Sequence, residues 1–422
     1  MSYRNFKRQF FYVIITIGLI CIVPLTGQNI VPEFGDHWER HVIDSEGSGA
    51  DGVKVADANG DGRPDIVTGW EESGETKIYL HPGYPNAKTQ WQAVTIAKTP
   101  SVEDAAYMDV NFDGNLDVVT CSEGATNQVA VHFAPGQPEN YTDPNTWQSM
   151  VIPASQDAMQ WMYAVPASFR ADDAMDIVAA GKNDSASIGW YRIPEEPLNM
   201  DKYRWHDLAE VGWVMTIRVL DMDNDGDLDI LFTDRKGEAA GVRWLENPGM
   251  EYQLSGVWQN HHIGGAGEEV MFMDVSEPDR KGMRTLYVAV RAPKKQYIIT
   301  LRQQDHTGLR WKRKDIPIPP GTGTGKAVAV GDMNLDGRQD LVYSCEHAGD
   351  GKSGVIWLEN TRRFFVKRWT PREVSGPTGI KYDRIELVDL DGDDDLDVLI
   401  CEENAGEDSE GLGVIWYENP AR

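Results

Sequence analysis

An aspartate-rich loop that recurs along the chain constrains this sequence more than any other feature. Its fullest copy is Asp221-Met222-Asp223-Asn224-Asp225-Gly226-Asp227-Leu228-Asp229. Acidic side chains stand at the first, third, fifth and ninth positions, and glycine at the sixth. Oxygen ligands at alternate positions of a tight loop, with glycine permitting the turn, suit a hard cation such as Ca²⁺. The pattern returns at Asp57, Asn59, Asp61 and Asp65, at Asp109, Asn111, Asp113 and Asp117, and at Asp332, Asn334, Asp336 and Asp340. A last copy holds Asp389, Asp391, Asp393 and Asp397, with Asp394 in the place of glycine. A solvated turn explains one such cluster. Five at a shared period predict a structural repeat with up to five structural Ca²⁺ sites.

These loops are not EF-hands. The twelfth position, where an EF-hand places a bidentate Glu, holds Thr68, Thr120, Phe232, Tyr343 and Ile400. The flanks are short β-branched runs, such as Ile217-Arg218-Val219-Leu220 before a loop and Val398-Leu399-Ile400 after one. Each loop therefore joins two strands.

The ninth-position aspartates are 52, 112, 111 and 57 residues apart, so two gaps are double. Asp176 fills the first and Thr285 the second, as decayed copies. Seven repeats of about 55 residues result, a period in the range of propeller blades. A Trp-led strand precedes most repeats, as in Trp38 to Ile43, Trp91 to Ile96, Trp147 to Ile152, Trp258 to Ile263 and Trp311 to Ile316; in the seventh it is blurred within Phe364 to Trp369. Endings such as Trp244-Leu245-Glu246-Asn247-Pro248-Gly249 and Trp416-Tyr417-Glu418-Asn419-Pro420 close the repeats. Each blade reads as strand A, acidic loop, strand B, a longer loop, strand C and the Trp strand D. The chain opens on a D strand and ends on a C strand, so residues 38–43 are expected beside residues 414–418, leaving no open edge.

The tandem loops, the hydrophobic pair after them and the Trp-Leu-Glu-Asn-Pro-Gly ending resemble the FG-GAP/VCBS repeats of seven-bladed β-propellers. The resemblance covers roughly residues 36–420. The namesake Phe-Gly/Gly-Ala-Pro pattern is missing, with Phe133-Ala134-Pro135-Gly136 nearest to it, which places the chain closer to the VCBS type. The resemblance implies an all-β fold of seven four-stranded blades. It also implies kinship of fold with carbohydrate-active propellers, including that of aldos-2-ulose dehydratase and those of some polysaccharide lyases. Fold alone does not set function.

Residues 1–27 read as a secretory signal, with Arg4, Lys7 and Arg8 before the apolar run Phe10 to Val23 and small residues at Thr26-Gly27. The propeller is then residues 28–422, secreted or periplasmic. The apolar run is too short for a membrane span, and the residues before Cys21 make a poor lipobox. The remaining Cys121, Cys345 and Cys401 fall at equivalent places in three blades, too far apart to pair, and read as buried free thiols. Part of the net charge of −27 is loop carboxylate. The rest argues against nucleic acid, because no basic stripe is present. Most of the fourteen Trp recur at fixed blade positions and read as packing between blades.

Function is expected on the face opposite the acidic loops, where D–A and B–C loops converge on the central channel. Six residues beyond each ninth position stand Glu71, Glu123, Lys182, Arg235, Arg291, Glu346 and Glu403, all charged. Blade six carries one extra residue, which makes His347 an alternative equivalent there. Lys182, Arg235 with Lys236, and Arg291 form a basic half. Glu346, His347, Glu402, Glu403, Glu71 and Glu123 form an acidic half. Such a ring suits an acidic oligosaccharide or polysaccharide, with Arg gripping carboxylate and Glu accepting from hydroxyls. A solvated rim of strand ends is the plain alternative. The D–A loops add Trp161, Tyr163 and Trp213 as stacking faces, and Lys326, Lys381, Tyr382 and Arg384 as polar groups.

The Gly-Thr run before Lys326 lacks the order of a phosphate loop, and neither a Gly-x-Ser-x-Gly elbow nor a His-Glu-x-x-His motif occurs. A glycosidase carboxylate pair stays open, given the acidic half. The pattern favours a monomeric dehydratase or lyase that performs β-elimination on uronic-acid sugars. Arg235 and Arg291 would hold the carboxylate. His347, Lys326 or Lys381 would act as base, the lysines through burial, and Tyr382 or Tyr163 as acid. The rival is a non-catalytic propeller that binds a glycan or a protein.

Overall fold

A computed structural model describes residues 34–170, 174–249, 251–292, 294–363, 366–403 and 411–421. The expected export signal, residues 1–27, lies outside the described residues. Seven separate antiparallel sheets, each of four strands, make a seven-bladed β-propeller. The innermost A strands are Ala50–Ala56, Val102–Met108, Gln160–Ala167, Val214–Leu220, Val270–Val275, Thr324–Gly331 and Tyr382–Val388. Each touches the next around the channel, and Tyr382–Val388 returns to Ala50–Ala56.

The B strands begin at the ninth loop position in every blade: Asp65, Asp117, Asp176, Asp229, Thr285, Asp340 and Asp397. The two decayed repeats are therefore complete blades. A B strand is covered by neighbouring blades on both faces, so Asp65–Trp70, Asp229–Asp234 and Asp397–Glu402 are buried along their whole length. D strands form the outer edge and turn polar, as in Trp311–Pro317. The blurred seventh D strand is Val366–Glu373.

The Trp marker of the D strands has a local cause. Trp91 Nε1 donates to the Ala87 carbonyl at 2.8 Å, Trp147 to Tyr141 at 3.1 Å and Trp258 to Gln253 at 3.1 Å. Each indole pins the C–D connection onto the blade while its ring fills the space between blades. The closing Asn has a matching role: the side-chain amides of Asn247, Asn360 and Asn419 donate to Leu228, Gln339 and Leu396 carbonyls at the end of the acidic loop.

Strand Glu39–Asp44 pairs antiparallel with Gly413–Glu418, Glu39 opposite Glu418 and His41 opposite Trp416. The last blade is thus completed by the start of the propeller, as expected. Cys121, Cys345 and Cys401 are buried free thiols. Among the described residues no helix is long and apolar enough to cross a membrane.

Candidate functional site

The channel mouth opposite the acidic loops is built by a defect that all seven A strands share. Each one shifts register opposite the end of its B strand: between Asp51 and Lys54, Val102 and Asp104, Trp161 and Tyr163, Val214 and Thr216, Val270 and Met273, Gly325 and Ala327, and Tyr382 and Ile385. A bulge frees its residue from the ladder and re-aims the side chain. The skipped residues include Gly52, Glu103, Met162, Met215, Phe272, Lys326, Asp383 and Arg384, and all of these line one cavity of about 400 Å³.

The B-strand ends meet the bulges there. Glu71, Glu123, Lys182, Arg235, Arg291, Glu346 and Glu403 all line the cavity, together with His347, Lys381, Tyr163 and Trp213. Both Glu346 and His347 reach it, because strand B of blade six, Asp340–Glu346, is one residue longer than Asp397–Glu402.

The expected split into basic and acidic halves is corrected by pairing. Lys182 binds Glu103 at 2.9 Å and also Glu123. Arg235 meets Glu269 at 2.7 Å, and Arg291 lies 3.5 Å from Glu346. Lys326 sits 3.2 Å from both Glu346 and Glu403 and 3.6 Å from Asp383. Lys381 binds the other oxygen of Glu403 at 3.0 Å. Arg384 donates to the Tyr163 hydroxyl at 2.5 Å and also pairs with Glu386. The A-strand bulges thus place cations among the acids. Still, the cavity wall holds eight carboxylates against six Lys and Arg side chains.

That excess shows in the titration of the site. Burial, then Glu403 and Asp383, push Asp51 well above the usual carboxylate range. Burial raises Glu103 to about 8 against the pull of Lys182. Burial raises Glu403 to about 7, with Lys326 opposing. Asp383 and Glu346 are lowered: burial pushes each up, but Lys326 with Asp51 and Lys381 at Asp383, and Lys326 with Arg291 at Glu346, together outweigh it.

Several sequence expectations fail here. The surroundings of Lys326 and Lys381 favour the protonated form, which runs against the expected role as base. Burial acts to lower them, yet Asp383 and Glu403 hold Lys326 well above its ordinary value, and Glu403 raises Lys381. Glu402 does not face the cavity; its carboxylate accepts the backbone amides of Ile380, Lys381 and Leu412. Trp161 is a core residue, fully buried, with Nε1 on the Ser155 carbonyl at 2.9 Å. Tyr382 is buried too, its hydroxyl shared with Thr378 O and Tyr417 Oη. Trp213 reaches the cavity, but Lys182, Arg235 and Lys236 lie 4.6, 4.5 and 4.2 Å from its ring centroid. Its face serves cations rather than an open sugar platform. Lys236 sits exposed at that rim.

Sequence reasoning missed Asp51, Glu103, Asp104 and Asp383. A signal was present: charged residues early in strands that are otherwise apolar and innermost. Such a residue has nowhere to go but the channel.

The five acidic loops share one backbone. The fourth position is left-handed in every copy: Gly60, Phe112 (φ 60°), Asn224, Leu335 (φ 58°) and Gly392. The sixth is left-handed as well, and Asp394 (φ 69°) takes up the conformation that Gly62, Gly114, Gly226 and Gly337 hold elsewhere. The sixth amide donates to the first aspartate, 2.9 Å in Asp57 and 3.1 Å in Asp389. The ninth aspartate, expected as a ligand, also staples the blade. Asp65, Asp117, Asp229 and Asp397 each accept at least one amide from the loop and one from the end of strand C, for example Met222 at 2.8 Å and Asn247 at 2.8 Å on Asp229. This staple explains why Asp176 persists, accepting from Ile193, although its loop has decayed. Oxygen clusters of the kind a hard cation takes occur in two loops, in one of them with a stapling aspartate as a member. Asp221, Asp223 and Asp225 present carboxylate oxygens within 4.8 Å of one another, as do Asp389, Asp391 and Asp397.

Comparison with known proteins agrees with the blade assignment. Residues 57–120 and 332–400 match the family model described as FG-GAP-like repeat. No curated protein matches the chain. Among solved structures, BBS1N in complex with ARL6DN is similar at 11% identity and TM-score 0.51, covering 92% of this chain and 98% of that one. An ancestral GH74 enzyme is similar at 11% identity and TM-score 0.51, covering 90% of this chain and 46% of that one. At such identity the likeness is one of fold. The chain carries FG-GAP-like repeats and folds as a seven-bladed β-propeller.

Proposed function

We propose that the cavity binds an acidic, hydroxyl-rich saccharide and acts on it by β-elimination, as a dehydratase or lyase. One observation carries this reading: the cavity at the channel mouth is lined both by acids whose proton affinity burial raises, Glu103 and Glu403, and by Arg235 and Arg291. The GH74 likeness is one of fold and lends the chemistry no weight.

Elimination next to a carboxylate needs a cation on that carboxylate, a base for the adjacent proton and an acid for the departing oxygen. Arg291 is the better open cation, since its nearest carboxylates are 3.5 and 3.8 Å away. Arg235, 8% exposed and held by Glu269, offers a fixed second donor. With both lysines protonated, the base falls to His347 or to Glu403. The His347 ring is 60% exposed, and its Nδ1 is held by Thr324 Oγ1 at 2.7 Å, which leaves Nε2 for substrate. Tyr163 is the acid: its hydroxyl reaches the cavity and is fixed there by the Arg384 guanidinium at 2.5 Å.

The loops hold Ca²⁺ in this reading, as structural ions in blades one, two, four, six and seven. Secretion or residence in the periplasm follows from the sequence of residues 1–27. The test of the chemistry is incubation with uronic-acid oligosaccharides, followed by the ultraviolet absorbance of a conjugated double bond and by loss of water in the mass spectrum. Binding with neither change would favour a recognition module, a reading that the paired state of the ring's cations also suits.

A further inference from the structure

The acidic side of the cavity contains a second feature, separate from the five loops. Asp51, Asp383 and Glu403 come from blades one and seven, and their carboxylate oxygens lie within 4.8 Å of one another. Asp51 also stands within that distance of Glu71 and Glu103. Such crowding alone is common among acids. Asp383 adds an independent observation. It is 1% exposed, it lines the cavity, and neither carboxylate oxygen has a hydrogen-bond partner among the described residues. The Asp51 carboxyl and the adjacent Arg384 amide approach it without closing a bond of normal geometry, and the Lys326 ammonium pairs with it only at 3.6 Å. A buried carboxylate left in that state costs free energy unless something meets it.

We infer that Asp51, Asp383 and Glu403 form a binding site for one hard divalent cation of the Ca²⁺ or Mg²⁺ class in the channel mouth. The donor set is oxygen only, which excludes the softer metals as preferred guests. Lys326, Lys381 and Lys182 supply three positive charges to the five carboxylates that meet around Asp51, so a divalent ion balances the excess instead of reversing it. The geometry asks for this ion on the face opposite the acidic loops, where the repeat pattern places none. The competing occupant is a proton shared between Asp51 and Asp383, which meets the same contact without any metal.

The inference goes beyond the elimination reading, and its test is blind to sugar chemistry. Crystals of the full chain soaked in Mn²⁺ and measured at an anomalous wavelength should show a peak between Asp51, Asp383 and Glu403 in addition to loop peaks. Equilibrium dialysis with Mn²⁺ should find one ion fewer per chain in Asp51→Asn, and a loop variant, Asp223→Asn, should keep the channel ion. Loop peaks without a channel peak, or equal stoichiometry in Asp51→Asn and the native chain, would overturn the site and leave a shared proton. If Asp51→Asn fails to fold, the anomalous map of the native protein decides alone. Neither result touches the double-bond assay, so the two readings fail separately.

Discussion

Lys326 and Asp383 occupy neighbouring bulges of blades six and seven, Nζ 3.6 Å from Oδ1, with both side chains buried. Glu346 and Glu403 complete the surroundings of the ammonium at 3.2 Å each. Removing one partner of a buried ionic group leaves the others uncompensated, which costs about 3–5 kcal/mol. Lys326→Met should therefore lower the urea midpoint markedly, and Lys326→Arg should recover much of the loss. A midpoint unchanged by Lys326→Met would mean that the carboxylates take up protons without strain.

Arg235→Ala and His347→Ala separate recognition from turnover. Arg235→Ala should reduce kcat/KM on a uronic-acid oligosaccharide by about 100-fold, because charge on the carboxylate grows in the transition state. His347→Ala should lower kcat with little change in KM. Normal melting with unchanged activity in both variants would identify the ring as a solvated rim.

Chelation should destabilise the fold. An ion at a hundred times its dissociation constant contributes about 2.7 kcal/mol through mass action. Strong chelator should therefore lower Tm at equilibrium, and added Ca²⁺ should restore it. Loop variants in blades one, two, four, six and seven should each weaken this response. An identical Tm with and without chelator would make the loops purely structural turns.

His132 predicts a pH effect away from the cavity. It is buried, with Nε2 2.9 Å from Thr120 Oγ1 and Nδ1 2.8 Å from Ser149 Oγ. Burial lowers it to about 4, below the ordinary value of 6.5. The unfolded chain then takes up a proton that the folded chain refuses. This share of stability is full above about pH 6.5 and is lost as pH falls toward about 4, on the order of 3 kcal/mol at the low end. His132→Gln should flatten the melting curve between those pH values. Parallel pH dependence in the variant and the native chain would refute the assignment.

The blades were legible in the sequence because one physical unit repeats. The acidic loop, the following apolar pair and the Trp-led strand recur even where Asp176 or Thr285 stands for a worn copy. The seven charges at the B-strand ends were legible for the same reason, since a fixed count from Asp65 or Asp397 returns to one point in space. The bulges were not. A register shift leaves no composition signature, so Glu103, Asp383 and the inward turn of Lys326 stayed hidden. Titration was misjudged for a related reason: burial alone predicts a lysine that gives up its proton, and the acids around Lys326 reverse that sign. The stapling role of the ninth aspartates was hidden too, because a carboxylate in a loop looks the same whether it meets a cation or two amides.

The pairing of the first strand with the last has a consequence in time. His41 and Glu418 meet although they stand 377 positions apart in the chain. The first propeller strand to be synthesised must wait for the last, with its backbone donors and acceptors open meanwhile. Contacts at such separation close late, because the loop entropy is lost before they return anything. Six blades can assemble in order as they emerge; the seventh cannot. Completion of the ring is therefore a terminal event, and the oldest stretch of the propeller is the last to reach its place.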